Sequence, residues 1–501
     1  MQVHLAGYNL DTTVIEELKN QAAPREDVTP EVLSAAYARI SRDPRPINEI
    51  RASAREEVEK TRKSNKTIIF KMGHHSVAEH AVFNFDIIGV SRLAMEELEK
   101  FRLCSYTEKS QRYITLDNDY VLPVELKGTS YEERFVEMIK TQNKAYFQLN
   151  EKLQDYVFAQ HSDLAADPKN RSLLEGWAKE DARYITALAT ESQVGLTINA
   201  RNLELMLRRF ASSDLAEVKQ LGRMIYECVE DIAPSIVVFH EANNRDLKTY
   251  PEVKKTCEPY IQRPAAQKSD VELVEYTLDA DDRIAAALLH ASSDMPYVQC
   301  KNIVKELSVD EKKEIFKASY KNMQLFDSMV REFEYSEFLY NVELSSACFG
   351  QLKRHRMTTI TSQGYDPELG ITVPEAVKAI GMEGLFADIA QMSADLYTEI
   401  KQKFPRAAAY ILTNAHKKRV LVRTNARELY HMSRLREDAH AQWDIRNVLR
   451  DMSLSAASAA PLTGMLLCGK DRYNEVYAEV FGRVPDMVSV ALPGQREIRK
   501  S

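Results

Sequence analysis

Apolar and polar residues alternate in two short stretches of the chain, and this pattern predicts two β-strands. The stretches, around 82–88 and 337–344, contain Phe-Asn-Phe-Asp-Ile-Ile and Phe-Leu-Tyr-Asn-Val-Glu-Leu. A period of two puts alternate side chains on one face of a sheet, so we expect each strand to have one buried face. Each stretch leads into apolar residues at helical spacing, which predicts helices over 91–102 and 345–356.

This order of elements occurs twice, which indicates a tandem duplication. Thr-Ile-Asn-Ala-Arg-Asn-Leu at 197–203 has a counterpart in Arg-Thr-Asn-Ala-Arg-Glu-Leu at 423–429. The chain has 501 residues, more than a single hydrophobic core usually serves, so two domains are expected. A polar, proline-containing segment without sustained periodicity, 243–269, is predicted to join them. We therefore expect one domain over 1–250 and a second over 270–501.

Composition and charge argue against several classes of function. Hydrophobic residues make up 44% of the chain and charged residues 28%, and the net charge is −7. An acidic balance argues against indiscriminate binding to nucleic acid or to a membrane surface. The N-terminal residues lack the basic and apolar regions of a signal peptide, and no apolar run approaches the ~18 residues that span a membrane. The six cysteines include no Cys-x-x-Cys pair. We expect a cytoplasmic protein with neither nucleic acid nor membrane as a partner.

Two segments carry polar residues in patterns that suit an anionic ligand. On the second predicted helix, Gln351 shares a face with Arg354 and His355, at spacings of three and four. An amide, a guanidinium and an imidazole on one face suit a planar, anionic ligand, although a solvated basic face is the favoured interpretation of this segment taken alone. In the first half, Glu108 and Arg112 flank Ser110 at a spacing of four, and this pair could be a surface salt bridge. The more economical role for Ser110 is a hydroxyl that donates to phosphate or to a base carbonyl. No histidine and acid accompany Ser110 in a nucleophile's usual arrangement.

A third segment predicts a long polar helix. Thr424 or Asn425 is a good N-cap, and Arg436 falls almost directly above Asn425 at about 100° per residue. His440 would lie roughly 40° further round if the helix is unbroken. A salt-bridged surface helix is the alternative interpretation. Upstream, the histidines and glutamate of Gly-His-His-Ser-Val-Ala-Glu-His at 73–80 lack the spacing of a zinc protease and a third ligand, so no metal site is predicted.

In this order, the segments resemble the flavin-dependent thymidylate synthases. That family has Arg-His-Arg followed by a Glu-x-Ser-x-Arg stretch, an upstream His-x-(Ser/Thr)-x-x-Glu-His, and a downstream Asn-x-Arg that leads to a further Arg. The resemblance spans nearly all of the chain, which looks like two family domains in tandem. It implies an α+β fold, with helices packed on a small, mainly antiparallel sheet in each half.

The two halves depart from the family pattern in complementary ways. The first half keeps the Glu-x-Ser-x-Arg stretch and has Lys-Phe-Arg at 100–102 in place of Arg-His-Arg, with Phe210 and Asp214 where an Arg and a His belong. Arg208 and Arg209, beside Phe210, leave open whether that arginine is lost. The second half keeps Arg-His-Arg and Arg436. It has Ser362, Gly364 and Asp366 where Glu, Ser and Arg belong, Ala409 at the position that matches Arg183, and Met329 in place of the upstream His.

In the family, one active site takes these segments from neighbouring subunits. The complementary losses therefore predict one composite site built from both halves, and the expected assembly is a homodimer, a pseudo-tetramer of four family domains.

By this resemblance the chain would methylate dUMP to dTMP, with methylenetetrahydrofolate as carbon donor, FAD as cofactor and NADPH as reductant. Arg436 would be the catalytic residue and would favour N3-deprotonated uracil. The dUMP-binding residues would be Gln351, Arg354, Glu108, Ser110, Gln111, Arg112, Arg183 and Arg436. FAD or folate would be bound by His74, Ser76, Glu79, Thr107, Glu108, Arg354, His355, Arg356, Asn425, Arg427, His431 (usually Asn in the family) and His440.

Two alternatives remain open. In the first, the chain is a non-catalytic descendant that binds nucleotide or flavin. In the second, it is a flavoenzyme that acts on another pyrimidine nucleotide.

Overall fold

The computed structural model describes residues 1–19, 28–111, 119–262, 267, 269–325 and 327–486. The strands are β1 Gln2–Tyr8, β2 Val82–Ser91, β3 Cys104–Glu108, β4 Glu191–Asn199, β5 Val271–Tyr276, β6 Glu337–Ser345, β7 Thr359–Tyr365 and β8 Lys417–Asn425. The α-helices are α1 Thr12–Leu18, α2 Glu31–Arg39, α3 Ile47–Glu56, α4 Val58–Asn65, α5 Arg92–Leu98, α6 Glu132–Gln160, α7 Ser162–Ala165, α8 Arg171–Ala182, α9 Ala200–Ala211, α10 Ala216–Glu227, α11 Asn244–Cys257, α12 Ala280–Ala291, α13 Tyr297–Glu306, α14 Val309–Tyr320, α15 Ser346–Leu352, α16 Glu375–Ala379, α17 Glu383–Lys403, α18 Ala426–Arg436, α19 Trp443–Ala459 and α20 Tyr473–Phe481.

The chain folds into two compact units. The first unit comprises Met1–Pro264 and Ile371–Ala415, and the second comprises Ala265–Gly370 and His416–Ser501. The segment with α16 and α17 follows the second repeat's motif in sequence, yet it packs in the first unit, where α17 lies against α6. Gln142 of α6 donates hydrogen bonds to Ser393 Oγ and to the Ile411 carbonyl, both at 2.8 Å. The sequence boundaries 1–250 and 270–501 of the two repeats stay a prediction.

Each unit contains a four-stranded antiparallel sheet with its strands in the same order. The first sheet runs β1-β2-β4-β3 and the second β5-β6-β8-β7. In β2, Phe83, Phe85 and Ile87 are buried while the residues between them are exposed. Burying an aromatic or branched side chain stabilises the fold by roughly 1.5–3 kcal/mol, which explains why the alternating pattern marks the strand. Helices α5, α9 and α10 cover this apolar face.

The second sheet repeats that arrangement. Phe338, Tyr340 and Val342 of β6 are buried, and α12, α18 and α19 contribute to the same core. The helix that follows the central strand begins in the same way in both units. Ser91 Oγ accepts a hydrogen bond from Ala94 N, and Ser345 Oγ accepts one from Cys348 N, both at 3.0 Å. The predicted strands, the duplication and the α+β fold are confirmed.

The two motif-bearing helices are shorter than predicted. The sequence pattern predicted helices over 91–102 and 345–356, but α5 ends at Leu98 and α15 at Leu352. After Leu352 the chain continues in tight turns, in which His355 N donates to the Leu352 carbonyl at 3.1 Å. These turns bring the chain back so that β7 pairs with β8.

The segment 243–269, predicted to join the two domains, contains α11 and includes the division between the two units after Pro264. Asn243 and Asp246 form a capping box, in which each side chain accepts a hydrogen bond from the other's backbone N–H. This box fixes the start of α11, which contains Pro251. No α-helix in the described part of the chain has the length and hydropathy that crossing a membrane requires.

Candidate functional site

The second unit holds a buried histidine against an arginine. His355 lies on the turn after α15 and is 3% exposed. Arg436, the last residue of α18, donates from Nε to His355 Nε2 at 3.0 Å and from Nη2 to the Gln351 carbonyl at 3.4 Å. Because an arginine only donates hydrogen bonds, Nε2 accepts, and the imidazole proton is on Nδ1. The contact therefore fixes both the tautomer of His355 and the direction of the Arg436 side chain.

The imidazole of His355 is neutral at physiological pH. Burial, with the nearby charges of Arg436 and His431, holds the pKa of His355 well below its ordinary value. Its Nδ1 faces the Glu428 carboxylate at 3.7 Å. Burial raises the pKa of Glu428, while His431 and Arg427 act in the opposite direction. A neutral acceptor leaves the whole positive charge of the pair on Arg436.

Gln351 is buried beside this pair and is itself positioned. Its Nε2 donates to Gln442 Oε1 at 3.3 Å. The same oxygen of Gln442 caps α19, where it accepts from the backbone N–H of Asp444 at 3.1 Å and of Ile445 at 3.3 Å. The amide of Gln351 is thus tied to a helix N-terminus, as a ligand-orienting side chain requires.

Exposed basic side chains lie beside His355, at neighbouring positions of the chain and on α18. Arg354, Arg356 and His431 are exposed, so their charged or polar ends reach solvent.

Asn425 is the N-cap of α18, because its side chain accepts from Glu428 N at 2.8 Å, and this prediction is confirmed. Arg427 donates to the Met329 carbonyl at 2.7 Å and pairs with Glu334 at 3.0 Å.

The prediction for His440 was wrong in one respect. It required an unbroken helix, but α18 ends at Arg436 and α19 begins at Trp443. His440 lies on the connection between them, where its ring pairs with Asp438 at 2.8 Å. A new helix, α19, begins after Gln442, whose side chain caps it. His440 is strongly exposed, so it stays accessible.

The first unit places the predicted phosphate-binding residues at and after the end of β3. Glu108 is the last residue of that strand, and Thr107 before it is exposed. The Glu108 side chain is buried, accepts from Ser192 Oγ at 3.3 Å and lies 3.7 Å from the guanidinium of Arg92. Ser110 and the buried Gln111 follow it. Arg112 lies outside the described residues.

Arg183 begins a short 3-10 helix, Arg183–Ile185, and is buried. Its Nε donates to the Glu180 carbonyl at 3.3 Å. A buried arginine is rare, because its charge is stable in the interior only beside polar or anionic partners.

The upstream motif of the first unit lies on a second 3-10 helix, His75–His80. His74 and Ser76 are exposed there. Glu79 forms an ion pair with Arg201. This pair corresponds to Glu334 and Arg427 in the second unit, so in both repeats the arginine of Asn-x-Arg binds the same upstream glutamate.

The first unit replaces the histidine–arginine pair with two aromatic rings. Phe101 and Phe210 occupy the positions of His355 and Arg436. Their rings contact each other edge to face, with the ring centroids 5.9 Å apart. The neighbouring Arg208 and Arg209 both pair with the buried Asp246, at 2.8 and 3.2 Å. The position that matches Arg436 is therefore occupied by an apolar residue in the first unit.

Two features of the site are not among the predicted residues. One is Arg92, whose buried guanidinium faces Glu108. The other is the grouping of Glu428 with His355 and His431. Its signal was present in Glu-Leu-Tyr-His at 428–431, a spacing that puts an acid and a histidine one helical turn apart.

Comparisons with known proteins agree with the duplication and the motifs. The chain matches the family described as thymidylate synthase complementing protein over residues 26–235 and 272–462. A protein of Clostridium tetani named flavin-dependent thymidylate synthase is 31% identical over 216 residues, which are 42% of this chain and 82% of that protein. A UPF0159 protein of Thermoplasma acidophilum is 22% identical, over 87% of this chain and 94% of its own length. A crystal structure of thymidylate synthase X from Helicobacter pylori with FAD and dUMP is 19% identical, with a TM-score of 0.28, over 50% of this chain and 99% of that one.

The molecule is thus a duplicated α+β protein whose second repeat carries a buried, neutral histidine under an arginine. It belongs to the thymidylate synthase complementing protein family and is a tandem form of it, since the family matches each half separately.

Proposed function

We propose that this protein is an FAD-dependent thymidylate synthase that methylates dUMP to dTMP with methylenetetrahydrofolate and NADPH. The observation that carries the proposal is the hydrogen bond from Arg436 to the neutral His355. Support also comes from relatives that are named flavin-dependent thymidylate synthases and match about one half of this chain.

The role of Arg436 follows from its charge and its anchoring. One guanidinium edge is directed at His355 and at the Gln351 carbonyl, so the side chain is held in place before any ligand arrives. A fixed cation beside the uracil lowers the free energy of the N3-deprotonated base, because it is preorganised where negative charge develops. Besides its predicted contact with FAD, His355 holds Arg436 in place and acts on the uracil only through that arginine, as a positioning residue. No protein nucleophile takes part.

The nucleotide would be bound by residues of both halves. Ser110, Gln111, Arg112 and Arg183 of the first half would bind the phosphate, since guanidinium and hydroxyl groups donate to phosphate oxygens. Gln351 and Arg354 of the second half would contact the sugar and base. Glu108, whose carboxylate already has Arg92 nearby, would join the contacts between nucleotide and cofactor.

The donor set of the second unit fits FAD. Arg354, Arg356 and His431 offer exposed cationic or hydrogen-bonding groups that match a diphosphate and a flat ring system. His355, Asn425 and Arg427 would complete that set, with His74, Ser76, Glu79 and Thr107 contributed by the first half and His440 on the folate side. When bound, FAD supplies the redox chemistry that passes the reducing equivalents of NADPH to the product. The protein binds and orients the reactants.

The Glu-x-Ser-x-Arg segment of the first half and the Arg-His-Arg segment of the second are most simply interpreted as parts of one composite site per chain. The first unit has an apolar pair where the second has His355 and Arg436, so it has no arginine at that position. The second unit has Ser362, Gly364 and Asp366 where the first has Glu108, Ser110 and Arg112. A homodimer, with four family domains, would then have two active sites.

A single preparation tests the proposal. The purified protein should be yellow, be bleached by NADPH under anaerobic conditions, and form dTMP when dUMP and methylenetetrahydrofolate are added. Flavin binding without turnover of any pyrimidine nucleotide would favour a non-catalytic binding protein. Turnover of a different pyrimidine nucleotide, with no dTMP formed, would favour a related flavoenzyme.

A further inference from the structure

We propose that His355, Glu428 and His431 form a binding site for a divalent transition-metal ion. One ligand atom from each residue lies within 4.8 Å of the other two. The two imidazole rings are 5.9 Å apart between centroids and are inclined at 75°. His355 Nδ1 is 3.7 Å from the Glu428 carboxylate. Rotation of exposed His431 toward the other two would bring all three ligands round one ion.

The local structure explains why these groups converge. Glu428 and His431 are one turn apart on α18, so they lie on the same face of that helix. A glutamate followed three residues later by a histidine is a ligand pair that carboxylate-bridged metal proteins use on their helices. His355 approaches from the turn after α15, while the exposed His431 leaves one side of the cluster open to solvent.

The Glu428 carboxylate supplies a second, independent observation. Glu428 is 9% exposed, and burial raises the pKa of its carboxyl. A largely buried carboxylate is costly to keep charged unless a cation or a proton compensates it. Its carboxylate lies 3.7 Å from His355 Nδ1. A metal ion held between Glu428 and the two imidazoles would compensate the carboxylate directly.

The donor set selects the kind of metal. Two imidazole nitrogens and one carboxylate oxygen suit borderline ions such as Zn²⁺, Co²⁺ or Fe²⁺, while Ca²⁺ and Mg²⁺ prefer oxygen ligands. Three protein ligands leave a coordination position for water. Zn–N distances of about 2.0–2.1 Å mean that the ligand atoms would move closer together on binding.

Metal binding and the contact between Arg436 and His355 exclude each other. A metal ion on Nδ1 uses the lone pair there, so the imidazole proton must move to Nε2. Nε2 would then donate, and it would face the N–H of Arg436, which now donates to it at 3.0 Å. Two N–H donors repel each other, so the Arg436 guanidinium must move away from His355. Occupancy of the site would therefore release Arg436, and, if the proposed function holds, it would weaken nucleotide binding.

The first experiment measures metal binding alone. The full chain, stripped with a chelator, is titrated with Zn²⁺ in competition with a chromophoric chelator, both with FAD bound and after FAD is removed, because His355 and His431 also belong to the proposed FAD-binding set. We expect one ion per chain, and a loss of affinity of about 10- to 100-fold in Glu428→Gln and in His431→Asn. His290→Asn is the matched control, because His290 is an exposed histidine on α12 of the same unit. His431 is exposed, so its variant should fold, and an unchanged Zn²⁺ affinity in His431→Asn would overturn the site.

The second experiment tests the exclusion without using any nucleotide. Arg436→Met removes the competing donor, so we expect its Zn²⁺ affinity to rise at least several-fold above that of the wild type. Arg427→Met is the control for the loss of one nearby positive charge. Equal affinities in the two arginine variants would overturn the exclusion.

The effect on nucleotide binding is measured last. Zn²⁺ should weaken dUMP binding to the wild type and leave it unchanged in His431→Asn. If Zn²⁺ binds as expected but the chelated wild type binds no dUMP, the proposed function fails and the metal site stands.

Discussion

Arg436 donates a hydrogen bond to His355 at 3.0 Å. At the same two positions of the first repeat, the rings of Phe210 and Phe101 contact each other edge to face, with the ring centroids 5.9 Å apart. Both partners differ between the repeats. A lone arginine beside Phe101 would lose its acceptor, and a lone histidine beside Phe210 would be buried without a hydrogen bond, which is unfavourable. At these two positions the first repeat thus has an apolar contact, and the second repeat has a hydrogen bond between polar side chains.

Replacing His355 with phenylalanine should separate packing from chemistry. His355→Phe copies the residue of the first repeat, so the fold should persist, but Arg436 would lose its acceptor. We expect dTMP formation to fall by roughly 10²–10³-fold, in line with the loss of a preorganised charge-stabilising group. His355→Gln, which keeps an acceptor, should recover part of the rate. Steady-state assays of the three proteins check this, and an active His355→Phe would contradict the positioning role.

Paired variants test the composite site. Arg354→Ala should abolish dUMP binding, while Lys100→Ala, at the corresponding position of the first repeat, should have little effect because Lys100 is an exposed residue paired with Glu97. In the same way, Arg112→Ala should abolish binding and Asp366→Ala should not. Equilibrium dialysis with dUMP measures all four. Loss of dUMP binding in Lys100→Ala and Asp366→Ala, with binding kept in Arg354→Ala and Arg112→Ala, would contradict the composite site.

Flavin stoichiometry gives a separate test of the same model. One composite site per chain predicts one FAD per chain, measured from the flavin absorbance and the protein concentration of the holoprotein. Two FAD molecules per chain would mean that the first repeat's arrangement around Phe101 and Phe210 also binds the cofactor.

Phe210 should be a stability residue. It is buried against Phe101, so Phe210→Ala would leave a cavity and should lower the free energy of unfolding by about 3–5 kcal/mol. Leu205→Ala on the same helix is the control, because Leu205 is exposed and its loss should change stability by less than about 0.5 kcal/mol. Urea unfolding followed by circular dichroism compares them. Similar stabilities of the two variants would contradict the packing role.

Glu217 should make stability depend on pH. Burial raises its pKa, although hydrogen bonds from Ser91 and Tyr410 act in the opposite direction. The folded state therefore holds its proton more tightly than the unfolded state, whose carboxyl has a pKa near 4.5. The stabilising contribution is complete below that pH and is lost as the pH rises through the folded pKa.

The measurement is urea unfolding between pH 4.5 and pH 7. We expect the pH dependence to be shallower in Glu217→Gln than in the wild type, because the titrating group is gone. Glu227→Gln, an exposed glutamate of the same helix, should keep the wild-type slope. An unchanged slope in Glu217→Gln would show that other groups are responsible.

Local patterns in the sequence determined much of the fold. The alternation in β2 and β6, the paired Asn-Ala-Arg segments and the N-cap Asn425 each depend on residues close together in the chain, where backbone geometry dictates the period. The family resemblance rested on the same local segments.

Tertiary structure alone decided how residues far apart in sequence pair. The end of α15 at Leu352, the neutral state of His355 and the convergence of Glu428 on it depend on burial and on contacts across the fold. So does the packing of 371–415 into the first unit. Burial makes hydrogen-bond partners obligatory, and which partner satisfies a buried group is fixed only when the chain has folded.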